Sequence, residues 1–446
     1  MNRTPFQRFT HRLALAAVIT LTGVPVSAKD NPSVANRFTI AVIPDTQNYI
    51  DYKHQAAEGF PFDASRMFLE QMQYIADHAA SGGKGDIVFA TSLGDVWQHQ
   101  TMPIDPLHMI RGFRRAPNPV MDAHFAPTPK TREVEMPMAR KGFELIDGKL
   151  PFSVVPGNHD HDAMWTDANH PPKAEVKGPE DVGMLHSAGL INFKMVFSNQ
   201  SKFFKGKDWY VASHKDGANS AQIFTAGGYR FLHIGLQFDP PNDALAWAAA
   251  IVKQFPGLPT IVSTHDYLDN DGQRLPSPIV DNHAVDPQDN SPQMIWDKFI
   301  SQNDQVFLVL CGHESGQALR VDDNSAGHKV YQVLSDYQDR GQTAKNAGVK
   351  LNRGEGIGDG WMRLMTFDMS GAAPTIQVQT YSTHYKKRSR DVAEYAAWYK
   401  AAEKPKMTDA EFQAQDDFVI QLSDFRKRFG EGEKHKPDAA AKKAAH

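Results

Sequence analysis

Five short stretches of this chain end apolar runs in side chains that bind metals. They are Asp45-Thr46-Gln47, Gly94-Asp95, Gly157-Asn158-His159-Asp160, Thr264-His265-Asp266 and Cys311-Gly312-His313-Glu314. A strand that stops at Asp, Asn or His, five times over, builds one polar cluster on one edge of a sheet. Hard oxygens together with imidazoles suit one or two divalent metals. Each stretch alone reads more simply as a solvated turn or a satisfied histidine. Five of them in strand-end context read as a site.

The elements that must position them are legible from patterning. Short runs rich in Val, Ile, Leu and Phe predict strands over 38–43, 86–90, 152–155, 229–235, 259–263 and 305–310. Several are continuously apolar, as strands covered on both faces are. Phe68, Met72, Ile75 and Ala79 fall on one side of a helix between the first two strands. A further helix is expected over 243–252. This alternation predicts a layered α/β domain. Later, 329–334, 361–367 and 375–381 read as strands without intervening helices, which implies a second sheet packed on the first.

Taken in order, the five stretches resemble the calcineurin-like metallophosphoesterase superfamily, whose pattern is D-x-H, GD, GNH-D/E, H and GH-x-H at strand-to-loop junctions. The D-T-Q opening, with Asp336-Tyr337-Gln338 and Tyr381-Ser382, is similar to an exported bacterial branch of it. The resemblance covers about residues 38–385. It implies an α/β fold of two mixed β-sheets sandwiched by helices, with ligands in the loops at one end. It also implies two divalent metal ions (Mn, Fe, Zn, Mg or Ca). One would be held by Asp45, Gln47 and Asp95, the other by Asp95, Asn158, His265 and His313, with Asp95 bridging. His159 would face the leaving group as a proton or hydrogen-bond donor. Asp160 would orient its ring.

Two departures from the family pattern stand out. Gln47 occupies the place of the usual His in the first motif, and Ser315 the place of the last His. The first metal site therefore lacks imidazole. Its oxygen-rich set favours harder ions such as Mn²⁺, Mg²⁺ or Ca²⁺. Glu314, Asp336 and Gln338 are the candidate replacements. Purple acid phosphatases carry a Tyr three residues after the GD aspartate; here that position is Gln98.

The bulk of the sequence agrees with a soluble globular protein, at 446 residues, 41% hydrophobic and 22% charged. Residues 1–28 read as a signal peptide. Arg3, Arg8 and Arg12 precede an apolar run, and Val26-Ser27-Ala28 offers a cleavage site. The expected location is periplasmic or extracellular, with no stable membrane insertion after cleavage. Removing that leader leaves 45 Lys and Arg against 52 Asp and Glu, a net −7. That balance gives no broad attraction to nucleic acid, so none is expected as a partner. The only cysteine, Cys311, lies in an apolar run and reads as a packed core thiol.

The expected organisation is one phosphoesterase domain over 29–400, with an insertion at about 98–135 rich in Pro, Met, His and Arg. A C-terminal helix is expected over 401–430. It opens on a Thr408–Glu411 capping box and carries Phe418, Leu422, Phe425 and Phe429 at helical spacing. The Lys/Ala-rich tail, 431–446, is expected to be disordered. The Gly354–Gly360 stretch resembles a phosphate loop but follows no clear strand, so it reads as a flexible connection.

The resulting expectation is an exported metal-dependent phosphoesterase, hydrolysing a phosphate ester with a metal-bridging hydroxide. Two alternatives stand beside it. One is a phosphodiesterase rather than a monoesterase. The other is a non-catalytic binding protein on a degraded phosphoesterase scaffold, which Gln47 and Ser315 motivate.

Overall fold

The computed structural model describes residues 36–351 and 354–432. The expected signal peptide and the tail from residue 433 onward lie outside them. Sixteen strands run in chain order through the described residues. They are β1 (Arg37–Ile43), β2 (Ile87–Ser92), β3 (Phe152–Val154), β4 (Ala163–Thr166), β5 (Leu185–Ala188), β6 (Tyr210–His214), β7 (Asn219–Ala226) and β8 (Tyr229–Gly235). There follow β9 (Thr260–Ser263), β10 (Val306–Cys311), β11 (Gly316–Asp323), β12 (Lys329–Asp336), β13 (Trp361–Asp368), β14 (Thr375–Ser382), β15 (Lys387–Arg388) and β16 (Asp417–Gln421).

They form two mixed sheets and a hairpin. The first sheet has the order β15-β14-β13-β1-β2-β3, with β16 also paired to β14. Here β1, β2 and β3 are parallel, while β13 and β14 are antiparallel. The second has the order β11-β12-β10-β9-β8-β7-β6, with β8, β9, β10 and β12 parallel. The two-stranded sheet is β4-β5. Thus the continuously apolar runs are the parallel strands, buried on both faces.

Aromatic side chains fill the space between the sheets. Phe38 of β1 stacks on Phe367 of β13 at 4.8 Å and meets Phe231 of β8 edge-on at 5.6 Å. Phe89, Phe224, Phe307 and Leu308 join the same buried cluster. Each such side chain contributes about 1.5–3 kcal/mol by leaving water. Helix Ser65–Asp77 packs with helix Met136–Ile146 on the outer face of the first sheet, through Phe68, Met72, Ile75 and Phe143. Helix Asn242–Gln254 covers the second sheet through Leu245, Ala248 and Ile251. The layers are helix, sheet, sheet, helix, as expected.

The C-terminal part departs from expectation. Thr408 and Glu411 do form a capping box, but its helix, Asp409–Ala414, ends after six residues. Asp417–Gln421 is a strand, β16, antiparallel to Thr375–Gln379 of β14. The run Phe418-Val419-Ile420 is aromatic and β-branched, and β14 offers an open edge. Alternation follows: Ile420 is buried while Val419 is half exposed. A short helix, Phe425–Phe429, comes next, and Phe425 packs edge-on against Phe307 at 5.2 Å. The helical spacing of Phe418, Leu422, Phe425 and Phe429 arises from two elements that bury the same core.

The inserted segment carries two short helices, Pro106–Ile110 and Pro119–Phe125. Asp105 and Asn118 cap them through their side chains. The segment lies against the β4-β5 hairpin, bridging Met102 to Ala163 and Arg115 to Asp167. The Gly354–Gly360 stretch is tied down at the described residues. Gly354 N donates to Asp339 Oδ1 at 2.8 Å, and Gly360 N to Tyr49 OH at 2.9 Å. No helix among the described residues is long and apolar enough to cross a membrane.

Candidate metal centre

Asp45, Asp95, Asn158, His265 and His313 all follow the carboxyl ends of parallel strands. Asp45 follows β1, Asp95 follows β2 and Asn158 follows β3. His265 follows β9 and His313 follows β10. The first three come from one sheet and the last two from the other. The sandwich brings the two sets of ends together.

The donors converge at hydrogen-bond distances. His265 Nε2 lies 3.0 Å from Asn158 Oδ1, 3.2 Å from Asp95 Oδ1 and 3.2 Å from His313 Nδ1. His313 Nδ1 lies 3.0 Å from Asn158 Oδ1. Asp45 Oδ2 is 4.0 Å from His265 Nε2 and accepts from the backbone N of His313 at 3.2 Å. Among them, Asn158 Oδ1 and Asp95 Oδ1 are acceptors brought within 3.2 Å of His265 Nε2. His265 Nδ1 donates to the carbonyl of Leu93 at 2.8 Å, so the neutral ring presents a lone pair at Nε2. Asn158 turns its amide nitrogen to Met164 Sδ, leaving its oxygen in the cluster. Burial, reinforced by His265, holds the His313 imidazole down to about 3, so it is neutral. Lone pairs from a carboxylate, an amide and two imidazoles pointing at one place fit a cation.

The backbone is bent to allow this. Asp95 and His313 take φ of +48° and +73°, in the left-handed region that non-glycine residues seldom adopt. Gly157 and Gly312 are required by close approach. A Cβ on Gly157 would lie 2.2 Å from Asp95 Oδ1, and one on Gly312 would lie 2.2 Å from Asp45 Oδ1. Gly157→Ala is therefore expected to displace the Asp95 carboxylate. It should lower metal content and cost about 1–3 kcal/mol of stability, as overpacking does. Metal analysis and urea unfolding check this; a variant with normal metal content would contradict it.

Electrostatics separates the two halves of the cluster. Burial alone would raise the Asp95 carboxyl, but His265, His159 and His313 in their protonated forms outweigh it and hold it below the usual carboxylate range. Asp45 goes the other way. Burial, then Asp336, then Asp95, push its carboxyl well above its usual value. Asp336 is raised by burial and by Asp339 and Asp95. Among the described residues, no Lys or Arg ion pair reaches Asp45, Asp95 or Asp336. Fully buried carboxylates of like charge without a cation are costly, and a dication would relieve them.

The oxygen-rich half centres on Gln47. Its Nε2 donates to Gln338 Oε1 at 2.6 Å and to Asp95 Oδ2 at 3.3 Å, while its Oε1 is buried without a hydrogen-bond partner. Gln338 Nε2 in turn donates to Asp336 Oδ2 at 3.0 Å. Of the three candidate replacements, Asp336 and Gln338 join this network. Ser315 Oγ points to Asp339 Oδ2 at 2.7 Å. Glu314 acts electrostatically on Asp266. Asp336 ends β12 beside β10, so its strand-end position was a usable signal. Titrating metal into stripped protein is expected to give a tight event, for the half with His265 and His313, and a weaker one. Two equal tight events by calorimetry would contradict this asymmetry.

Asp160 sits differently from expectation. The His159 ring donates from Nδ1 to the carbonyl of Gln98 at 2.8 Å, and its Nε2 lies 3.9 Å from Asp95 Oδ2. Asp160 does not hold that ring. Its carboxylate accepts from Gly157 N at 2.8 Å and Val96 N at 2.9 Å, tying the loops after β3 and β2 together. Two buried backbone N–H groups need an acceptor there, and Asp160 supplies both. Gln98 opens the inserted segment. Its contribution is a backbone carbonyl, which no residue type announces. Phe125, from the second inserted helix, meets the His159 ring edge-on at 5.3 Å.

No family model matches the chain. Over 238 residues it is 24% identical to "Uncharacterized protein YvnB" of Bacillus subtilis (strain 168). That alignment covers 52% of this chain and only 16% of that protein, so this chain spans a small part of its relative. It is also similar to the structure titled "GAP50 the anchor in the inner membrane complex of Plasmodium", with TM-score 0.35, 11% identity, and coverage of 79% of this chain and 86% of that one. A likeness that distant does not bear on function. The layer order and the strand-end residues agree with one another instead: the chain has the αββα architecture that its five motifs imply, with a candidate metal centre at the carboxyl ends of its parallel strands.

Proposed function

We propose that this chain is a metal-dependent phosphoesterase of the calcineurin-like kind, exported to the periplasm or beyond. One observation carries the reading: the metal-ligating atoms of Asp95, Asn158, His265 and His313 converge, with contacts of 3.0–3.2 Å among them. Two bound dications would supply positive charge for phosphoryl oxygens and would acidify water. The remaining chemistry belongs to the chain. Asp95, between the two halves, would face both ions and cancel their repulsion. Gln98 O holds Nδ1–H of His159, so Nε2 is the nitrogen that would serve a departing oxygen. Phe125 would limit what lies beside that ring.

The test uses the protein stripped of metal and resupplied with Mn²⁺, Mg²⁺, Zn²⁺ or Ca²⁺. Phosphomonoesters and phosphodiesters are offered in a panel. Metal-dependent turnover of one ester class is expected. Tight metal binding without turnover of any ester would contradict the catalytic reading in favour of a binding protein.

A further inference from the structure

A second histidine cluster lies apart from the strand-end donors, where the inserted segment meets the β4-β5 hairpin. His108 is on the first inserted helix, His186 on β5, and Asp286 follows helix Asn282–Val285. One ligand atom from each lies within 4.8 Å of the others. His108 Nδ1 donates to Asp105 Oδ2 at 2.8 Å, which leaves its Nε2 as a lone pair, 3.6 Å from Asp286 Oδ2. A carboxylate behind one imidazole nitrogen, with the other nitrogen left as an acceptor, is the arrangement that orients metal-binding histidines.

His186 supplies the second observation. It is 1% exposed, yet neither ring nitrogen has a hydrogen-bond partner. Its ring lies 4.8 Å from that of His108, and its Nε2 lies 3.5 Å from Asp289 Oδ2. Burial holds it down to about 3, so the ring is neutral and one of its two nitrogens carries a lone pair. The residues line a cavity of about 240 Å³. A buried imidazole aimed into a cavity without a partner is an expensive arrangement unless something fills it.

One cation already stands at this place. The Arg111 guanidinium lies 2.5 Å from Asp286 Oδ2 and 3.4 Å from His108 Nε2. Its side chain is 38% exposed and lies over the Phe113 ring at 5.0 Å, so a cation binding here would have to displace it from Asp286. We propose that His108, His186 and Asp286 form a third metal site, of the zinc type, which clamps the inserted segment onto the hairpin, and that Arg111 holds the position when the metal is absent. Two imidazoles and a carboxylate favour Zn²⁺ over Mg²⁺ or Ca²⁺. Neighbouring ligands of a tetrahedral zinc stand about 3.4 Å apart; His108 Nε2 and Asp286 Oδ2 are 3.6 Å apart, and all three ligand atoms lie within 4.8 Å of one another. Asp289 Oδ2, 3.5 Å from His186 Nε2, borders the set.

The test is the zinc content of full-length protein dialysed against Zn²⁺, compared between wild type, His108→Ala, His186→Ala and Arg111→Ala. One zinc fewer per chain is expected in each histidine variant. His108 is the less buried of the two, so its variant keeps the comparison sound if His186→Ala fails to fold. Arg111→Ala should bind that zinc about tenfold more tightly, since it removes the competing cation. In Co²⁺-loaded protein, a tetrahedral visible band should be lost in His108→Ala and retained in Asp95→Asn. Equal zinc content in wild type and His108→Ala, or unchanged affinity in Arg111→Ala, would overturn the proposal. These differences are read independently of ester hydrolysis.

Discussion

Asp95→Asn is expected to reduce ester hydrolysis to the rate of buffer and to remove the larger part of bound metal. Asp95 Oδ1 faces His265 Nε2 at 3.2 Å, and its Oδ2 faces Gln47 Nε2 at 3.3 Å. One carboxylate therefore looks into both halves of the cluster. Asparagine keeps the shape but loses the charge, and one of its two positions becomes a donor. An N–H aimed at a neutral imidazole nitrogen makes a hydrogen bond where a cation should be. The backbone N of His159, which donates to Asp95 Oδ1 at 2.9 Å, also loses its best acceptor if the amide turns the wrong way. Metal analysis and turnover together check the expectation. A variant with full metal content and more than a tenth of wild-type activity would show that Asp95 does not bridge.

His159→Ala separates leaving-group chemistry from metal binding. The ring is held by Gln98 O and does not enter the cluster of donors formed by Asp95, Asn158, His265 and His313. Metal content should stay near normal. Turnover of esters with poor leaving groups should fall by about 10²–10⁴-fold, the usual worth of a positioned general acid. A nitrophenyl ester, whose departing oxygen hardly needs a proton, should lose far less. The ratio of the two losses is the informative quantity. Equal losses on both substrates would place His159 in phosphate binding or metal support.

The strand ends were legible because residue type and context coincide there. Asp, Asn or His closing a run of Val, Ile and Leu is an unusual place for a polar side chain, and it recurs. Apolar patterning located β1, β2, β3, β8, β9 and β10 for the same reason. What the residues alone could not separate was Asp336 from Glu314 and Gln338, because their spacing from His313 says nothing about which strand edge they face. The hydrogen bonds set Glu314 apart from the other two: Gln47 meets Gln338, and Gln338 meets Asp336. The hold on His159 was hidden in a carbonyl, and Asp160 was misread because a carboxylate beside a histidine can serve either the ring or the backbone. β16 was misread because Phe418, Leu422, Phe425 and Phe429 repeat at helical spacing while belonging to a strand, a turn and a short helix. His108 and His186 lie far apart in sequence, and each alone looks like an ordinary histidine.

The central claim is that five strand ends from two sheets build one metal centre. Anomalous diffraction at the manganese edge, from crystals of the protein soaked in Mn²⁺, tests it most directly. The account predicts two peaks about 3.5–4 Å apart. The stronger should be ligated by Asp95, Asn158, His265 and His313, and the weaker should lie beside Asp45, Gln47 and Asp336. The absence of any manganese peak within coordination distance of Asp95 and His265 would contradict it.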